Sequence, residues 1–374
     1  MTKVKHVLGI SGGKDSAALA IYLNNTYPQL DLEYYSCDTG KELDETYELI
    51  KRLESMLGKK VKVLRGAEGS PDNPFDHFLH VNGGYLPSSM ARWCTIKLKL
   101  EPFEKYIAGT GPIISYVGIR GDENREGYIS KKPNIQSIFP FRKNIWSEDV
   151  IRKALSNNNI PFIKKLYQEY ASESTKLDRI LEVVDYPIAP NFQQPQKLDT
   201  LLELGIKEFN RVIFAFLKTT DYPLGKADSF PLVENEEVLV REDIFRILRE
   251  SGVGVPAYYE KREYQVKIDG KIETGYYSRS RSGCFFCFFQ QKIEWVWLYE
   301  NHNELYKKAM EYEKEGYTWQ QGESLEELCQ DDRRDRIKRE HFKRMKKNKA
   351  NFKSPYLLDV LDDAEGEGCA ACFI

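Results

Sequence analysis

Val4-Lys-His-Val-Leu-Gly-Ile-Ser-Gly-Gly-Lys-Asp-Ser16, followed by Ala17-Ala-Leu-Ala-Ile-Tyr-Leu-Asn24, reads as a short apolar strand, a glycine turn and a helix rich in Ala and Leu. Gly12 and Gly13 let the backbone turn sharply and leave bare N–H groups for oxyanions. A helix starting near Asp15 adds its positive end. Lys14 contributes a point charge, and Ser11 and Ser16 contribute hydroxyl donors. A loop of this composition holds phosphate. It is not a Walker A loop, which needs four residues between its first glycine and the Gly-Lys pair and then Ser or Thr directly after the lysine, because Asp15 follows Lys14. The third glycine of the dinucleotide fingerprint is also missing.

Outward from the loop, strands and helices alternate. Leu32–Ser36 is a second strand candidate and ends at Asp38-Thr39-Gly40. Leu43, Tyr47, Ile50, Leu53 and Leu57 recur at helical spacing, and Gly58 is a natural stop. Val61–Leu64 and Ile113–Ile119 are further buried-strand candidates. This alternation predicts an α/β fold, a doubly wound, mostly parallel sheet covered on both faces. Ligands gather at the carboxyl ends of such strands. The glycine loop, Asp38-Thr39-Gly40 and Gly118-Ile-Arg-Gly-Asp-Glu123 all fall there. Residues 1–162 form the predicted nucleotide domain and 163–229, with Pro187, Pro190 and Pro195, a mainly helical insertion. Residues 230–330 form a cysteine-containing region, and 331–374 a basic helix with a cysteine-containing tail.

The 374 residues are 41% hydrophobic and 30% charged, which excludes a disordered or fibrous chain. No apolar run approaches the roughly 18 residues of a membrane span, and MTKVKHVLGIS lacks a signal-peptide layout. The expected location is the cytoplasm, with no membrane partner. The net charge of −2 conceals eleven Lys/Arg against two acids between Arg333 and Lys353. Such a stretch suits a phosphate backbone or the solvated face of a terminal helix. Seven cysteines without an export signal argue against a disulfide framework. Cys284-Phe-Phe-Cys287 and Cys369-Ala-Ala-Cys372 are paired at metal or redox spacing, while Cys37, Cys94 and Cys329 stand apart.

The hexapeptide Ser11–Ser16 resembles the signature of the PP-loop superfamily of ATP pyrophosphatases and sulfonucleotide reductases. Downstream, Asp38-Thr39-Gly40, Arg92-Trp-Cys-Thr95 with Lys97 and Lys99, Gly118–Glu123 and Arg281-Ser-Gly-Cys-Phe-Phe-Cys287 follow the order of phosphoadenosine-phosphosulfate (PAPS) reductase-like proteins. The DNA-phosphorothioation subunit DndC and related phage-defence proteins share this layout. The resemblance implies ATP held by Ser11, Gly12, Gly13, Lys14, Asp15 and Ser16, with Asp38, Thr39, Gly40 and Gly118 lining the pocket. Arg92, Lys97 and Arg120 would neutralise phosphate or sulfate. Lys14, Asp15 and Arg120 are the catalytic candidates, and Asp122 and Glu123 could hold Mg²⁺.

The resemblance also implies a 4Fe–4S cluster, with zinc as the alternative. Cys94, Cys284 and Cys287 form one ligand set, and Cys284, Cys287, Cys369 and Cys372 the other. Trp93-Cys94 stands where the reductases have a Cys-Cys pair, and the tail ends Glu367-Gly-Cys-Ala-Ala-Cys-Phe-Ile374 without the reductases' Glu-Cys-Gly-Leu-His setting. The expected activity is therefore ATP cleavage to AMP and pyrophosphate, adenylating an acceptor such as DNA or RNA for sulfur transfer. A sulfur donor such as a cysteine desulfurase would be the partner. Sulfonucleotide reduction and non-catalytic nucleotide binding are the alternatives.

Overall fold

The computed structural model describes residues 4–123, 130 and 132–351. β1 (Lys5–Gly9) runs into the glycine loop, and α1 (Lys14–Thr26) leaves it. With β2 (Leu32–Asp38), β3 (Val61–Arg65), β4 (Ile113–Tyr116) and β5 (Ile135–Ile138) it forms one sheet in the order β3-β2-β1-β4-β5. Every neighbouring pair is parallel, so the α/β class holds. The strand order reverses at β1, which opens a crevice between the carboxyl ends of β1 and β4.

Two local details depart from the periodicity. β5 had no sequence signal because Gln136 and Ser137 occupy its centre, yet all four of its residues are buried. Gln136 is accommodated because its Oε1 accepts the Leu224 N–H at 3.0 Å. α2 (Asp44–Leu57) ends at Gly58 with φ +62, but its buried residues are Thr46, Leu49, Leu53 and Leu57. The buried stripe is thus rotated from the expected one, because Tyr47 turns its hydroxyl to polar partners at the site.

α1 has almost no polar face. Every residue from Lys14 to Leu23 is buried, which marks it as the central helix of the domain. Around it a single core joins Leu8, Leu19 and Ile114 to Ile163, Ile180, Leu201, Phe209 and Phe216. The helices Ile160–Tyr170, Leu177–Asp185, Gln194–Leu204 and Ile206–Leu217 therefore pack into the same apolar mass as the sheet.

A second core joins the first region to the last. Leu43 and Phe75 meet Tyr258, Phe286, Trp295, Trp297, Trp319 and Ile337. It supports the antiparallel hairpin β6 (Arg262–Ile268) and β7 (Lys271–Tyr277), the helix Lys292–Asn301 and the basic helix Asp331–Asn351. Among the described residues no helix is long and apolar enough to cross a membrane.

Candidate functional site

The glycine loop closes on itself before any ligand arrives. Gly12 has φ +73, a conformation that favours glycine, and a Cβ there would lie 2.2 Å from Thr46 Cγ2. The Ser11 N–H donates to Ser16 Oγ at 3.2 Å, the two hydroxyls are 3.2 Å apart, and Ser16 Oγ donates to the Gly13 carbonyl at 3.2 Å. Gly13 caps α1 without a side-chain oxygen. The first amides of a helix have no intrahelical acceptor, and here the Gly13 N–H turns to Ser11 Oγ at 3.4 Å and the Lys14 N–H to the Tyr259 oxygen at 3.4 Å.

Charge at the loop is dense and buried. Lys14 is 2% exposed, and its Nζ lies 3.1 Å from Asp15 Oδ2. Arg120 is 4% exposed and is gripped by three carboxylates: Asp15 Oδ1 at 3.0 Å, Asp122 Oδ1 at 2.9 Å and Glu123 Oε1 at 3.1 Å. The structure thus brings all three catalytic candidates into contact across the crevice between β1 and β4. Gly118 makes that contact sterically feasible, since a Cβ there would lie 2.9 Å from the Asp15 carbonyl oxygen. Among these five described groups, three carboxylates outnumber two cations by one. That surplus suits Mg²⁺, which takes one or two carboxylates and completes its shell with phosphate oxygens and water.

Asp38 closes the other side. It accepts from the Gly40 N–H at 2.8 Å, the Tyr47 hydroxyl at 3.0 Å and Arg65 Nε at 2.9 Å. Thr39 donates to Glu42 Oε1 at 2.6 Å and lies 3.2 Å from Cys284 Sγ. Burial raises the carboxyl pKa of Glu42 and the thiol pKa of Cys284. Cys37 is likewise pushed up to about 12 by burial.

What the sequence did not disclose is a strap, residues 278–284, laid over this loop from the far end of the chain. Glu42 and Cys284 form an isolated antiparallel bridge, and the Phe285 N–H donates to the Lys41 carbonyl at 2.9 Å. Ser282 Oγ fills the space where a Gly13 Cβ would sit, 2.7 Å away. The Tyr258 hydroxyl donates to the Gly12 carbonyl at 3.0 Å, and the Lys14 N–H to the Tyr259 oxygen at 3.4 Å. Arg279 is 1% exposed and pins the strap, with Nη2 donating to Cys284 O at 3.1 Å and to Gln290 Oε1 at 3.0 Å. Among the described residues its Nε and Nη1 find no acceptor. Only the Arg-Ser-Arg-Ser-Gly run before Cys284 hinted at this role, and the family motif drew attention to its cysteines alone.

The remaining predicted residues disperse. Arg92 is exposed, donates to Ser89 O at 3.1 Å and lies over the Phe289 ring at 5.2 Å. Lys97 sits on the solvent side of a π-helical turn, 2.6 Å from Glu101 Oε1. It is Lys99 whose charge acts on Cys37, Glu42 and Cys284.

Phe285 and Phe286 seat the Cys-x-x-Cys loop in aromatic packing, with Phe286 4.5 Å from Phe75 and 4.7 Å from Trp319 between ring centroids. Among the described residues no group of three or more His, Cys, Asp or Glu side chains gathers to hold a metal. The set Cys94, Cys284 and Cys287 is therefore not assembled, because Cys94 and Cys284 pack as apolar neighbours of the second core. Cys369 and Cys372 lie outside the described residues.

Residues 5–172 match the family profile of the phosphoadenosine phosphosulfate reductase domain. An uncharacterized protein of Methanocaldococcus jannaschii is 26% identical over 61% of this chain and 54% of its own length. A second uncharacterized protein of that organism is 30% identical over 44% of this chain and 33% of its own. The chain thus spans about half the length of the first of these relatives and a third of the second. The crystal structure of phosphoadenylyl-sulfate reductase from Candida auris, a phosphate complex, aligns with 38% of this chain and 66% of that one at 16% identity and a TM-score of 0.29. So low a score leaves the fold to rest on the strand order itself.

Proposed function

We propose that this chain, whose residues 5–172 resemble the phosphoadenosine phosphosulfate reductase domain, cleaves ATP between the α- and β-phosphates. The observation that carries this reading is the buried Lys14–Asp15–Arg120 contact beside the glycine loop. Loop amides and the Ser11 and Ser16 hydroxyls bind the phosphate oxygens. Lys14 and Arg120, held in place before substrate enters, stabilise the charge that accumulates on the departing pyrophosphate. Fixed cations outside bulk water avoid much of the reorganisation that catalysis would otherwise require.

Mg²⁺, when bound with nucleotide, neutralises phosphate charge, and Asp122 and Glu123 are the residues that would hold it. An acceptor oxygen attacks the α-phosphorus, the bond to the bridging oxygen of the β-phosphate breaks, and pyrophosphate leaves. The acceptor is then adenylated, so a sulfide or persulfide nucleophile can displace AMP where hydroxide would not leave. The acceptor class we favour is a nucleic acid, and the setting a defence or modification system.

Two substrates separate this reading from sulfonucleotide reduction. Incubation with ATP and Mg²⁺ should release pyrophosphate, whereas incubation with PAPS and a thiol reductant should release no sulfite. Sulfite from PAPS without pyrophosphate from ATP reverses the assignment. ATP that binds through Lys14 and is never turned over, with or without nucleic acid, leaves a nucleotide-binding subunit.

A further inference from the structure

The basic helix Asp331–Asn351 divides its charge by face. Toward the body, Arg333 pairs with Glu323, Arg334 lies 3.3 Å from Glu300, and Lys338 lies 2.6 Å from the same carboxylate. Ile337 is buried between them. The outer face is different. Apart from Lys338, the stretch from Arg336 to Lys347 holds six Lys/Arg and one acid, Glu340, which lies one turn on from Arg336. Arg336, Lys343 and Lys347 are exposed and carry no ion pair among the described residues. At positions i, i+7 and i+11 they share one face, spaced by roughly 10 and 6 Å along the axis at about 1.5 Å per residue. Like charges at i, i+4 repel, so Lys343 and Lys347 are a cost to the free helix that a bound polyanion would remove.

Arg344 lies about a quarter turn around the helix from these three, seven residues on from Ile337, on the side that borders the body. Arg344 donates to Gln291 Oε1 at 2.8 Å. Gln291 is two residues from Phe289, at most about 7 Å of chain. Over the Phe289 ring lie two guanidiniums, Arg92 at 5.2 Å and Arg281 at 5.9 Å. A ring shared by two arginines, beside the Cys284–Cys287 loop, is a place for a phosphate flanked by bases that stack.

We propose that a single-stranded polynucleotide runs along Arg336, Lys343, Lys347 and Arg344 and turns at Arg281, Phe289 and Arg92 into the site. The inference rests on the proposed ATP chemistry only in naming this strand as its acceptor. Single-stranded form follows from reach, because a base stacked inside a duplex cannot bring its reactive atom into a recess.

The test is fluorescence anisotropy with labelled twenty-nucleotide DNA and RNA strands and their duplexes, across a series of salt concentrations. The 374-residue chain should bind single strands more tightly than duplex, and the DNA and RNA arms identify which backbone is preferred. The triple variant Arg336→Glu, Lys343→Glu, Lys347→Glu should keep its circular dichroism. It should bind at least tenfold more weakly, with a log–log salt slope smaller by about 2, from roughly 0.7 per phosphate contact. Lys14→Ala should bind the strand as the wild type does while losing ATP cleavage, so failure of the two readings can be told apart. Equal affinity and slope for wild type and triple variant, preference for duplex, or binding to anionic vesicles in place of polynucleotide would overturn the proposal.

Discussion

Two nearly buried arginines stand on opposite sides of the glycine loop and are treated in opposite ways. Arg120, from the end of β4, is compensated by Asp15, Asp122 and Glu123. Among the described residues the Arg279 guanidinium, from the strap, bonds the Cys284 carbonyl and the Gln290 amide oxygen, with two donor atoms left without an acceptor. The first region is a charge-saturated cradle whose parts hold one another before substrate arrives. The second is an aromatic clamp in which a guanidinium serves as a backbone pin. The difference teaches that burial of an arginine does not by itself mark a catalytic cation. Its partners decide what removing it will do.

The largest expected effect falls on the cradle. Arg120→Met leaves three carboxylates without their common cation, and breaking a buried ion pair from one side costs about 3–5 kcal/mol. Chemical denaturation should show a loss of that size, and a loss below about 1 kcal/mol would mean the carboxylates are solvated. Next comes Lys14→Ala, which should lower the rate of pyrophosphate release by roughly 10²–10³-fold, as removal of a preorganised charge donor does. An unchanged rate would move the chemistry off the loop.

The clamp side should show the pH sensitivity. His341, with Nδ1 2.7 Å from the Tyr264 hydroxyl, is lowered to about 4 by burial and by the neighbouring Arg344 charge. In the unfolded chain an imidazole takes its proton near 6.5, to within about a unit. Between those values the unfolded state binds more protons, so stability falls as pH drops from about 6.5 to about 4, by roughly 3 kcal/mol at most. His341→Gln should flatten melting temperature across that window, and an unaltered slope would assign it to other groups. The smallest effect is predicted for Arg279→Met. It removes two hydrogen bonds but also an uncompensated buried charge, so stability should change by less than about 1 kcal/mol. Alkylation of Cys284 should nevertheless accelerate as the strap loosens. A loss comparable to that of Arg120→Met would erase the distinction between the two sites.

The cradle was legible in the sequence because it is local. β1, the glycine loop and α1 are contiguous, and Gly118 and Arg120 follow an apolar strand whose end must lie beside them. β5 was hidden by Gln136 and Ser137, polar residues that a buried strand tolerates only when a distant loop bonds them. The strap was hidden for a related reason. Tyr258 and Ser282 reach Gly12 and Gly13, and no periodicity reports a contact between residues more than 240 positions apart. The Cys-x-x-Cys motif was readable as a pair, but spacing alone could not reveal that its aromatic neighbours would seat it in packing without a third thiolate among the described residues.

The central claim, bond cleavage at the α-phosphate, is tested most directly with ATP labelled on that phosphorus, incubated with Mg²⁺ and single-stranded nucleic acid. Label should appear in AMP or in an adenylated strand, with unlabelled pyrophosphate released alongside. Label recovered in ADP, or in intact ATP under every condition, would contradict it.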